Sequence, residues 1–175
     1  MQPPDAIVRH ARQLVEQFCA SPQAPDDLAT LAEGLRRFAS SSVWQAAPFP
    51  EAEKGEELLY ELAVGSGSGP SLYLVSDGVG VVSPPHCHET WAVIAGIRGR
   101  ELNHRYAVHS AEARTVVHAA EVEVGPGQAL VLATADIHST EVRGARPTFH
   151  LHLYGRPLRE LPRFESRCFT VAADG

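Results

Sequence analysis

The 175-residue sequence predicts an all-β barrel or sandwich carrying two helices as an N-terminal prefix. Two observations predict it. From Leu58 onward the chain breaks into short runs rich in Val, Ile, Leu, Tyr and Thr, each bounded by Gly or Pro. Ahead of them, two stretches place apolar residues at helical spacing. The composition, 44% hydrophobic and 21% charged, is ordinary for a globular chain, and the length suits one domain with a sizeable core.

Taken in order, the first element is a helix over Ala6 to Ala20, where Ile7, Ala11, Leu14, Val15 and Phe18 recur on one face. The turn SPQAPDD follows, and Asp26 or Asp27 is the expected N-cap of a second helix. Its stripe is Leu28, Leu31, Ala32, Leu35 and Phe38. Both stripes are expected to pack on the main body. The candidate strands are LLYELAV, SLYLVSD, GVGVV, TWAVIAGI, ELNHRYAV, TVVHAAEVEV, QALVLAT, STEVR and TFHLHLY, with breakers at GSGSGP, SPP, GPG and GARP. Gly65 to Pro70 is too short for an interdomain linker, and no internal repeat is present. The expected organisation is one domain over 1–175, helical over about 5–40 and barrel over about 56–158.

A formal net charge of −6, with Lys and Arg scattered, argues against nucleic acid or an anionic membrane as partner. The longest uncharged apolar stretch, Thr90 to Ile97, is far shorter than the roughly 20 residues of a membrane helix. The segment MQPPDAIVRHARQ has no apolar signal core, so a cytoplasmic protein is expected. Cys19, Cys87 and Cys168 form neither a disulfide framework nor a zinc-ribbon spacing, which fits a reducing compartment. A monomer or homodimer is expected.

Nine histidines stand out. His86 and His88 lie in SPPHCHET, and in an extended chain residues i and i+2 share a face, so two imidazoles can meet one metal ion while Cys87 points away. In FHLHLYG the same rule puts His150, His152 and Tyr154 on one face and Leu151 and Leu153 on the other. If GAR is a three-residue hairpin loop, His138 lies opposite His152, and His138, His152 and Tyr154 line one cavity. His104, His109 and His118 are expected to be surface or satisfied core residues, and His10 a polar residue of the first helix.

Gly80, five residues and then His86-Cys87-His88 is similar to the first cupin motif, and His138 after GPGQALVLATADI resembles the second. The resemblance spans Leu58 to Arg156 and implies a cupin double-stranded β-helix, a jelly-roll barrel, holding one metal ion through His86, His88 and His138. The Glu ligand of the usual motif falls near Ala92 or Val93, neither of which binds metal, and Glu89 sits on the opposite face. Three histidines without a carboxylate resemble the ligand set of the cysteine dioxygenase-like thiol dioxygenases, which oxidise a small thiol to its sulfinic acid with O2. That resemblance implies Fe(II), although imidazole also suits Zn and Ni.

The family carries a Ser-x-His-x-Tyr array beside the iron. His152 and Tyr154 map onto its last two members as catalytic residues, and His150 replaces the Ser at the substrate pocket. TWAVIAGIRG looks like the bacterial branch, which places Trp91 at the pocket, and Ala92 falls where animal enzymes have the Cys that cross-links to the tyrosine. In Tyr60-Glu61-Leu62, Leu62 stands where the family's carboxylate-binding Arg follows its Tyr, so Tyr60 and Leu62 are pocket candidates, and Arg98, Arg105 or Arg156 is left to supply a cation. Two other readings stay open: a metal-dependent cupin oxygenase acting on a non-thiol substrate, and a non-catalytic cupin that binds a metal or ligand.

Overall fold

The structure is a computed structural model that describes residues 4–19, 25–45 and 49–172. Helices α1 (Asp5–Cys19) and α2 (Pro25–Ala39) precede ten strands. These are β1 (Glu57–Val64), β2 (Ser71–Asp77), β3 (His86–Cys87), β4 (Ala92–Arg98), β5 (Glu101–Ser110), β6 (Thr115–Val124), β7 (Ala129–Leu132), β8 (Ile137–Glu141), β9 (Thr148–Tyr154) and β10 (Thr170–Val171). They form two five-stranded sheets, ordered β1-β2-β9-β4-β7 and β10-β6-β5-β8-β3, that curl into a jelly-roll barrel.

Strand alternation sorts the side chains of the first sheet. On its outer face Leu72, Leu74, Val93, Ala95, Phe149, Leu151 and Leu153 meet Ile7, Ala11, Leu14 and Val15 of α1 and Leu31, Leu35 and Phe38 of α2. The helical stripes therefore cover a sheet face that water would otherwise reach. On its inner face Tyr73, Val75, Ala92, Ile94, Leu130, Leu132 and Tyr154 pack with Val124 of the second sheet. The site lies in this interior.

Several expectations change. Helix α2 begins at Pro25, so Asp26 and Asp27 fall within its first turn and do not precede it. The side chains of Phe18 and Cys19 lie outside the described residues. GVGVV is no strand: the Gly78 N–H donates to the Glu56 carbonyl, Gly80 takes φ 82°, and Val82 makes an isolated bridge to Glu141. β8 and β9 form no hairpin, because β8 pairs with β3 and β5 while β9 pairs with β2 and β4. His138 and His152 come from opposite sheets and converge across the barrel. Past the barrel, a 3₁₀ turn at Phe164–Arg167 returns to the cavity, and β10 adds in parallel to β6.

Candidate metal centre

The two-residue strand β3 decides the site. Its antiparallel pairing with β8 sets His86 directly across from His138 and Cys87 across from Ile137. Directly opposed residues share a face, so both imidazoles point inward. Cys87 instead packs outward with Ile137 and Val116. After His88 the chain turns through Glu89 at φ 54°, leaving Glu89 exposed. The turn, not strand alternation, keeps Glu89 out of the site.

One ring nitrogen from each of His86, His88 and His138 lies within 4.8 Å of the others, and all three residues are buried. The Nε2 atoms of His88 and His138 are 3.2 Å apart. Two nitrogens each ~2.1 Å from a common ion, at angles of roughly 90–110°, lie about 3.0–3.4 Å apart. The spacing fits a shared ion. Among the described residues no carboxylate joins this group.

Neighbours set the tautomers. The Asn103 amide donates from Nδ2 to Glu101 Oε1 at 2.9 Å, so its Oδ1 turns toward His138 and accepts from Nδ1–H at 2.9 Å. His138 must then carry its lone pair on Nε2, toward the centre of the group. His86 Nδ1–H donates to the Pro84 carbonyl at 2.9 Å, which likewise leaves Nε2 free to ligate. Burial lowers all three imidazole pKa values, His86 to about 4, and Arg167 lowers His86 and His88 further. Three neutral imidazoles at neutral pH are ready to take a divalent cation. They fit Fe(II), Zn(II) or Ni(II) alike.

A cavity of about 370 Å³ opens over the group. Tyr154 and His152 line it, with His152 Nδ1 at 3.0 Å from Tyr154 Oη. The Tyr154 and His88 rings meet edge to face at a centroid distance of 5.0 Å. Burial raises the Tyr154 phenol well above its ordinary value and lowers His152 to about 3, so the pair is a neutral phenol beside a neutral imidazole. Ala92 lies in register with Tyr154, so the phenol has no thiol beside it to cross-link.

Arg167 and Phe164 complete the wall from the C-terminal segment. Arg167 Nε donates to the Pro162 carbonyl and Nη1 to the Cys87 carbonyl, both at 3.0 Å, and Phe164 sits against the His86 ring at 4.9 Å. The guanidinium is thus fixed at the cavity with no carboxylate within ion-pair distance among the described residues.

The remaining expected pocket residues fall elsewhere. Tyr60, Leu62 and Trp91 belong to the helix-facing core, because strand parity sends Leu59 to the cavity and its neighbour Tyr60 away from it, and a bulge past Glu61 keeps Leu62 outward. Leu62 therefore carries no information about a substrate carboxylate. Arg98 pairs with Glu51, Arg105 pairs with Asp136, and Arg156 is exposed, so none of them reaches the cavity. His150 shares the inner face as expected but lies below the cavity, fully buried, with Nε2 donating to the Val124 carbonyl at 3.0 Å.

Four residues escaped the sequence reading. Arg167 and Phe164 lay beyond the last recognised strand. Glu101 and Asn103 alternate on ELNHRYAV, and their polar i, i+2 pattern was the available signal. Glu101 also faces Asp77, and burial raises both carboxyls above their ordinary range.

No protein-family model matches the chain, and no curated protein matches it in sequence. Solved structures do. The polyketide cyclase RemF from Streptomyces resistomycificus superimposes with a TM-score of 0.50 at 19% identity, over 72% of this chain and 80% of that one. A cupin superfamily protein from Desulfitobacterium hafniense gives 0.49 at 14% identity, over 62% and 84%. The fold is a jelly-roll barrel. The DMSP lyase DddQ from Ruegeria pomeroyi gives 0.48 at 18% identity, and this chain spans about half of it, 52%, using 63% of its own length. Identities this low speak to the fold alone.

Proposed function

We propose that this protein is an Fe(II)-dependent thiol dioxygenase that converts a small carboxylate-bearing thiol to its sulfinic acid. The observation that carries the proposal is the convergence of three neutral imidazoles without a carboxylate, beside a Tyr–His pair and a fixed guanidinium. In the overall reaction R–SH and O2 give R–SO2H: both oxygen atoms reach sulfur, and the four electrons that sulfur gives up reduce dioxygen.

A ferrous ion held by His86, His88 and His138 supplies open coordination positions and electron exchange with dioxygen. The chain's own residues do the rest. Arg167, pinned through Nε and Nη1, keeps Nη2 to pair with the substrate carboxylate. Tyr154 keeps its phenolic proton at neutral pH. When His152 Nδ1–H donates to Tyr154 Oη, the phenolic O–H is free to donate into the cavity toward developing negative charge. Phe164 packs edge-on against the His86 ring at the cavity wall.

The test is oxygen uptake by anaerobically iron-loaded protein, offered a mercapto acid, cysteine, an aminothiol and thiol-free controls. Uptake matched one-to-one by sulfinate supports the proposal. No uptake with any thiol, despite one iron per chain, overturns it.

A further inference from the structure

A second group of metal-type donors lies on the outer face of the second sheet, away from the cavity. His104 on β5 is in direct register with Glu121 on β6, and His104 Nδ1 lies 3.2 Å from Glu121 Oε1. His118 stands three residues before Glu121, a spacing that in a regular strand sends two side chains to opposite faces. Here β6 bulges: Ala120 pairs with Arg105 and His118 with Tyr106, so Ala119 is the extra residue. The bulge brings His118 onto the face of Glu121, with Nε2 at 3.8 Å from Glu121 Oε1. One donor atom from each of the three residues lies within 4.8 Å of the others.

A second feature orients the group. His104 Nε2–H donates to Glu141 Oε2 at 3.0 Å, and Arg143 Nε holds the other Glu141 oxygen at 2.7 Å. Those two partners, Arg143 foremost, keep the Glu141 carboxyl below its ordinary range. A carboxylate on one ring nitrogen turns the other nitrogen's lone pair outward, which is how proteins orient metal-binding histidines. In neutral His104 that lone pair on Nδ1 faces the Glu121 oxygen. Two acceptors 3.2 Å apart repel unless a cation sits between them.

We infer that His104, His118 and Glu121 form a surface site for a divalent transition-metal ion of the zinc type, with Glu141 orienting His104. Two imidazoles and a carboxylate are donors that zinc takes readily, and three protein ligands leave the remaining position to water. The inference does not depend on the chemistry assigned to the barrel interior.

Zn(II) titration of metal-stripped full-length protein against a chromophoric chelator tests it. Wild type is expected to bind two equivalents, and His118→Ala or Glu121→Gln one. His118 is about half exposed, so its removal leaves the fold intact. The double variant His86→Ala/His88→Ala is expected to keep one equivalent, and adding His118→Ala to it leaves none. Glu141→Gln is expected to weaken the outer site by about 10- to 100-fold. If His118→Ala and Glu121→Gln bind zinc with the stoichiometry and affinities of wild type, the inference is overturned. A proton on His104 then accounts for its two carboxylate contacts.

Discussion

Asn103→Ala separates the metal centre's ligands from what aims them. Asn103 is fully buried, and it joins Glu101 to His138 through two 2.9 Å hydrogen bonds. Alanine keeps all three imidazoles but deletes the acceptor for His138 Nδ1–H and the donor to Glu101 Oε1. His138 is 1% exposed, so water cannot readily replace the lost acceptor. Each of the two groups stranded without a partner costs ~1–3 kcal/mol, so the apoprotein should lose about 2–6 kcal/mol in denaturant unfolding. Freed to rotate and change tautomer, His138 should bind metal about 10- to 100-fold more weakly, a loss of ~1.4–2.7 kcal/mol. Chelator competition reads the second effect separately from the first. Leu130→Ala is the control: it should cost ~2–5 kcal/mol of stability from the same barrel interior, yet leave metal affinity unchanged. A folded Asn103→Ala protein whose metal affinity stays within about twofold of wild type would refute the orienting role.

Other expectations follow from the same geometry. Tyr154→Phe removes only the hydroxyl, so it should keep the metal and slow turnover about 10²-fold; wild-type turnover would remove the role assigned to the phenol. Arg167→Gln should raise KM for a mercapto acid at least about 10-fold while leaving an aminothiol unaffected, since only the former brings a carboxylate to the guanidinium. Gly96→Ala places a Cβ 2.2 Å from the Gly125 carbonyl oxygen, backbone against backbone, and should cost about 3 kcal/mol or prevent folding; a shift in Tm of under about 2 °C would contradict that contact. Asp77 is raised by burial and then by Glu101, so the folded state holds a proton that the unfolded chain releases. Stability from that proton is complete below the ordinary Asp range and is lost as pH rises through the raised value. Asp77→Asn should therefore flatten the loss of unfolding free energy between about pH 4 and about pH 8, and an unchanged slope would place the proton elsewhere.

The parts of the fold that depend on periodicity were legible in the sequence. The helical stripes of Ile7 to Val15 and Leu31 to Phe38 pack on the main body as expected, and Leu151 and Leu153 part from His150, His152 and Tyr154 as alternation requires. What failed were inferences needing strand partners. His138 and His152 do share a cavity, but across two sheets and not through a hairpin, since local spacing says nothing about which strands pair. The Tyr60 and Leu62 assignment was wrong by one residue of parity, which in a strand exchanges inside for outside. Arg167 was invisible for a different reason. It reaches the cavity on a 3₁₀ turn 79 positions after His88, with no periodic pattern to announce it.

The charges of the interior bear on which thiol the proposed enzyme takes. His86, His88, His138 and His152 are neutral, and the Tyr154 phenol keeps its proton. Burial raises the Asp77 and Glu101 carboxyls toward their neutral forms, while the Arg167 guanidinium stands in the cavity wall. A divalent ion would add its charge to that of Arg167, against the carboxyls of Asp77 and the exposed Glu57 in the cavity lining. Uncompensated charge in so buried a place is costly, so the favoured substrate is the one that delivers the most negative charges. A mercapto acid bound as thiolate and carboxylate does so, with the carboxylate on Arg167. Cysteine retaining its ammonium group delivers one, and a simple aminothiol delivers none. Discrimination among the three should therefore follow net charge, mercapto acid over cysteine over aminothiol, and neutralising Arg167 should narrow it. A preference for the aminothiol would refute this ranking by net charge.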